Sequence, residues 1–75
     1  MSDLPSYVRE AFHTLYNEPV NTPEYCIAKG SLYSELERDV RFGETGALNV
    51  SRMLHNGDVE RAEQFIEDKL TGEKH

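Results

Sequence analysis

The stretch that most constrains this fold is His55-Asn56-Gly57-Asp58 followed by Val59 to Leu70. It reads as the end of one helix, a tight turn and a complete second helix. Asn56-Gly57 suits the left-handed conformation that ends a helix, because glycine enters it without a Cβ clash. Asp58 can cap the second helix, its carboxylate accepting from the first free N–H groups. Val59, Ala62, Ile66 and Leu70 then fall on one face and Phe65 widens it, while Glu60, Glu63, Gln64 and Glu67 fall opposite. Lys69 suits the negative end of the helix dipole, and Gly72 is a stop.

The other segments repeat this logic. Ser2 or Asp3 can cap a first helix with Pro5 in its first turn. Leu4, Val8, Ala11, Phe12, Leu15 and Tyr16 recur at helical spacing until Asn17 and Pro19. Thr22-Pro23-Glu24 has the cap, the first-position proline and the acidic first turn of a helix start. Tyr25, Ile27, Ala28, Leu32, Leu36 and Val40 come next, interrupted at Gly30-Ser31, so the segment is either one helix or two broken there. One long helix to about residue 41 is the favoured reading. After the loop Phe42-Gly43-Glu44-Thr45-Gly46, Thr45 can cap a third helix carrying Ala47, Leu48, Val50, Met53 and Leu54. The expected fold is therefore all-α: a small single-domain bundle of four helices at about 5–16, 23–41, 46–55 and 58–70, with residues 71–75 as a flexible tail. Only Val20 and Tyr25 flank a segment that could form a very short strand.

Seventy-five residues make one domain with a small core and little room for a deep cavity. The net charge of −6 disfavours nucleic acid and anionic membranes as direct partners. Residues 58–75 hold 6 acids against 3 bases, half of that net charge. One cysteine, Cys26, gives no internal disulfide, nothing reads as a secretory leader, and no run approaches a membrane span. A reducing, cytoplasmic setting is expected.

Catalytic and metal-binding patterns are weak. His13, Cys26, His55 and His75 form no close pair of the zinc-site kind. Cys26 near a helix start could pair with His13 or His55 as a thiol–imidazole couple, but no third orienting group is evident. Glu60, Glu63 and Glu67, like Glu35 and Asp39, lie on faces expected to be solvated. Asp58-Val59-Glu60 lacks calcium-loop spacing and Gly43-Glu44-Thr45-Gly46 lacks a phosphate-loop lysine. No enzyme activity, cofactor or metal is expected.

Phe42, Ala47 and the run Gly57-Asp58-Val59-Glu60-Arg61-Ala62 resemble the loop aromatic and the start of the last helix in ubiquitin-associated domains. That resemblance covers about the last half of the chain and implies a three-helix bundle that binds ubiquitin. Val40-Arg41-Phe42 stands in place of that family's Met-Gly-Phe loop, and Glu63 in place of an aliphatic residue.

The functional expectation is a small acidic regulatory protein acting by protein–protein contact: an inhibitor, adaptor or accessory subunit of the kind phages and mobile elements encode. Its candidate contact residues are Tyr7, Tyr16, Tyr25, Tyr33 and Phe42, together with the acidic face Glu60, Glu63 and Glu67. Three other readings are a homodimer covering surplus apolar surface, an acidic nucleic-acid mimic, and a helix-turn-helix-like DNA-binding regulator with residues 58–70 in the groove. Arg38, Arg41 and Arg52 are the only basic cluster for the last.

Overall fold

The computed structural model describes residues 4–72. Among them run four helices and no strand: α1 (Ser6–Asn17), α2 (Pro23–Arg38), α3 (Gly43–His55) and α4 (Val59–Thr71). The packing closes a ring in which α1 meets α2, α2 meets α3, α3 meets α4 and α4 returns to α1. The two diagonal pairs do not approach closely. The all-α four-helix expectation is met, and the Val20–Tyr25 segment forms no strand.

Each helix contributes its apolar stripe to one core. Val8, Ala11, Phe12 and Leu15 come from α1, and Tyr25, Ala28, Leu32 and Leu36 from α2. Ala47, Val50 and Leu54 come from α3, and Ala62 and Ile66 from α4. Phe65 packs at the margin, its ring 6.4 Å from that of buried Phe42.

The turn chemistry explains where sequence and structure part. At the α3–α4 junction the Gly57 N–H donates to the Leu54 carbonyl at 3.0 Å, and the Asp58 N–H to Met53 at 2.8 Å. With Gly57 at φ 84 this is the double bond of a Schellman stop, as Asn56-Gly57 suggests. Asp58, however, makes no side-chain cap; its carboxylate lies 3.9 Å from Arg61. At α2 the expected cap forms, Thr22 Oγ1 accepting from the Tyr25 N–H at 3.3 Å.

Helix α2 is continuous through Gly30 but stops at Arg38, short of the expected residue 41. Asp39 takes an extended conformation, and its carboxylate accepts from the Arg41 backbone N–H at 2.9 Å and the Arg41 guanidinium at 2.8 and 3.0 Å. That local clamp leaves Val40 97 % exposed, off the Leu32–Leu36 line it extends by spacing. Helix α3 begins at Gly43, three residues earlier than expected, so Thr45 lies inside it and caps nothing. Gly46 permits this: a Cβ there would stand 2.9 Å from the Phe42 Cβ, so only glycine lets Phe42 fold over the first turn. Helix α1 has Pro5 at its cap position without a side-chain bond. The caps expected from Ser2 or Asp3, His75, and tail positions 73–75 lie outside the described residues; α4 itself reaches Thr71, with Gly72 as its left-handed stop.

Candidate functional site

The helix stripes place the sequence-predicted contact residues in four different settings. Tyr25 is 1 % exposed, and its hydroxyl donates to the Leu54 backbone carbonyl. Phe42 is buried under the start of α3. Both are core, not surface contacts: each stands on the stripe that its helix, or its cap, turns inward. Tyr33 is half-buried against the core.

Tyr16 sits at the α1–α4 seam. It is 48 % exposed, leans on Phe12 with ring centroids 6.1 Å apart, and donates its hydroxyl to Glu63 Oε1 at 2.6 Å. Partial burial, and then the Glu63 carboxylate, raise its pKa. The acidic face of α4 is accordingly not a uniform row: Glu63 is engaged with Tyr16 and half-buried, Glu67 is half-buried and Glu60 is exposed. A polar cleft of about 380 Å³ runs along this seam, lined by Tyr16, Asp58, Glu60 and Arg61 among others.

Tyr7 belongs to a larger cleft between α1 and α2, of about 460 Å³. Helix α1 lines it with Tyr7, Glu10, Ala11 and Thr14, at helical spacing, and α2 with Glu24, Ile27, Ala28, Ser31, Leu32 and Glu35. The cleft exists because the side chains where these helices meet are small. Ala11 faces the seam from one helix and Ala28 from the other, flanked by Thr14 and Ser31, so nothing fills the trench above Leu32. Its floor is apolar and its rim carries Glu10, Glu24 and Glu35, all exposed. Among the described residues none of these three makes an ion pair; the two pairs found are Arg41–Asp39 and Arg61–Asp58. Among the described residues no Lys or Arg lines the cleft.

Among the described residues no group meets hydrogen-bond geometry with the Tyr7 hydroxyl, which is out of contact with solvent, though Asp39 lies close by. Burial, and then the nearby Asp39 charge, raise its pKa. Asp39 itself is held below the usual carboxylate range by its bonds to Arg41.

Among the described residues five large apolar side chains are substantially exposed: Tyr16, Val20, Ile27, Val40 and Leu48. Ile27 is 70 % exposed and stands on the cleft wall. By spacing Ile27 falls in with the core stripe, and Glu10, Glu24 and Glu35 do not stand out as contact residues. A signal is there: Glu24, Ile27, Ser31 and Glu35 share one line of α2 at steps of three, four and four, so Ile27 is an apolar residue on a polar face.

Among the described residues no group of three or more His, Cys, Asp or Glu side chains gathers closely enough to hold a metal ion, and Cys26 is exposed and free. No helix among them is long and apolar enough to cross a membrane. No family model, curated protein or solved structure matches the chain.

Proposed function

We propose that this chain is a non-enzymatic regulatory protein acting by protein–protein contact, as an inhibitor, adaptor or accessory subunit, and that its contact surface is the α1–α2 cleft. The observation that carries this reading is Ile27, 70 % exposed beside the apolar floor of Ala11, Ala28 and Leu32. A bundle this small gains stability from every apolar side chain it can bury, and an aliphatic side chain left on the wall of an apolar trench suits a partner that covers it.

The acidic face of α4 supports the nucleic-acid-mimic reading less well. A mimic needs a row of free carboxylates, and Glu63 is bound to Tyr16 while Asp58 faces Arg61. The helix-turn-helix reading meets the same charge from the other side, since Glu60 would face phosphates.

Affinity capture from a cell lysate with the wild type and with Ile27→Gln, at low and high salt, tests the reading. Glutamine keeps helix propensity, so both proteins should melt alike. The expected result is a partner held by the wild type at high salt and lost with Ile27→Gln. Equal capture by both proteins, or capture only of DNA-binding proteins that high salt releases, would overturn it.

A further inference from the structure

Resting on that reading, we infer that the occupant of the α1–α2 cleft is a cationic amphipathic helix. It seats an apolar side chain on Ala11, Ala28 and Leu32 against Ile27, and turns Lys or Arg on its flanks toward Glu10, Glu24 and Glu35.

Charge selects the partner. The rim presents carboxylates from both helices, and among the described residues no base lines the cleft and none of the three acids is paired. A second copy of this chain on the same face would set glutamates against glutamates, and a phosphate backbone would be repelled outright. A partner with Lys or Arg beside its apolar stripe meets opposite charge on both walls.

Shape and backbone chemistry select a helix. Glu24 and Glu35 stand eleven residues apart on α2, which is about 16 Å along the axis, or three turns of a partner helix lying in the trench. An extended peptide on an apolar floor would leave backbone N–H and C=O groups without partners, and the described residues offer no sheet edge to pair with them. A helix satisfies its own backbone and needs only side-chain contacts. The small residues of the floor let its apolar ridge approach closely.

The probe is a synthetic Lys/Leu amphipathic peptide of about eighteen residues, past the length at which isolated helices are marginal in water. Its comparators are a scrambled peptide of the same composition and a Glu/Leu version. The whole chain, isotope-labelled, is titrated with each while backbone amide shifts and affinity are read. The amphipathic cation should shift Glu10, Thr14, Ile27 and Ser31 and bind better than both comparators. The combined Glu10→Gln, Glu24→Gln and Glu35→Gln variant, altered only at exposed positions, should lose about tenfold in affinity or more, while Glu60→Gln with Glu67→Gln loses less than about twofold. Equal binding of the scrambled peptide, shifts centred on α4, or equal losses in the two variants would overturn the inference, because attraction to the net charge alone would then explain binding. Failure of the peptide to bind while Ile27→Gln still releases the captured partner would overturn the cationic helix and leave the contact reading standing. Binding in the cleft while Ile27→Gln captures the same partners would uphold the cleft's preference and overturn the contact reading.

Discussion

The Tyr25 hydroxyl donates to the Leu54 backbone carbonyl at 2.5 Å, tying the first turn of α2 to the last turn of α3. The same carbonyl accepts from the Gly57 N–H at 3.0 Å, so both its lone pairs are used at the point where α3 stops. One carbonyl thus serves both the packing of α2 on α3 and the stop that precedes α4. Tyr25→Phe keeps the ring and removes the donor. Leu54 retains one partner, so the expected loss is about 1 kcal/mol, read as a lower urea midpoint at unchanged slope.

Two glycines should respond to alanine with opposite signs. Gly30 lies in the middle of α2, and a Cβ added there would meet nothing within 4 Å, so Gly30→Ala should stabilise by about 0.5–1 kcal/mol. Gly46 lies under Phe42, where a Cβ would come within 2.9 Å of the Phe42 Cβ, so Gly46→Ala should destabilise by about 1–3 kcal/mol. Thermal melts of the pair check both signs.

Ile66 is fully buried, and α4 buries little besides it and Ala62. Ile66→Ala should cost about 2–5 kcal/mol, a large part of the stability of a domain this size. Denaturant titration should show a population already partly unfolded in buffer if the loss falls at the upper end.

Tyr7, Tyr16 and Tyr25 all hold their protons above the ordinary value of 10.0 in the folded state, burial being the first cause in each. The unfolded chain releases those protons from pH 10.0 upward, before the folded chain does. Stability from these groups is therefore complete below pH 10.0 and declines as pH rises from there toward the folded values. Asp39 works in the opposite direction. Its lowered pKa contributes stability above the ordinary carboxylate value of 3.8 that is lost as pH falls through the folded value. Urea midpoints across the alkaline range should decline less steeply for Tyr16→Phe than for the wild type, and across the acid range less steeply for Asp39→Asn.

Much of the fold was legible because helices announce themselves by spacing and punctuation. Val8, Ala11, Phe12 and Leu15 are buried as their period requires, and Thr22-Pro23-Glu24 and Asn56-Gly57 start and stop helices where their chemistry says. The misses come from interactions that spacing does not encode. Val40 extends the Leu32–Leu36 line, but the Asp39–Arg41 clamp ends the helix first. Gly43–Thr45 looks like loop, yet the fit of Phe42 over Gly46 draws it into α3. Tyr25 has the look of a contact residue because tyrosine suits interfaces; its bond to Leu54, across 29 positions, makes it core. The α1–α2 cleft is harder still to read, since it depends on Ala11 and Ala28 lining one seam from two helices. Only Ile27, set between Glu24 and Ser31, betrays it in one dimension.

Amide chemical-shift mapping of the labelled chain, titrated with the partner that capture isolates, bears most directly on the cleft as the contact surface. Shifts concentrated at Glu10, Thr14, Ile27, Ser31 and Glu35, with α4 undisturbed, are expected. Shifts concentrated at Glu60, Arg61 and Gln64, with Ile27 unmoved, would contradict it.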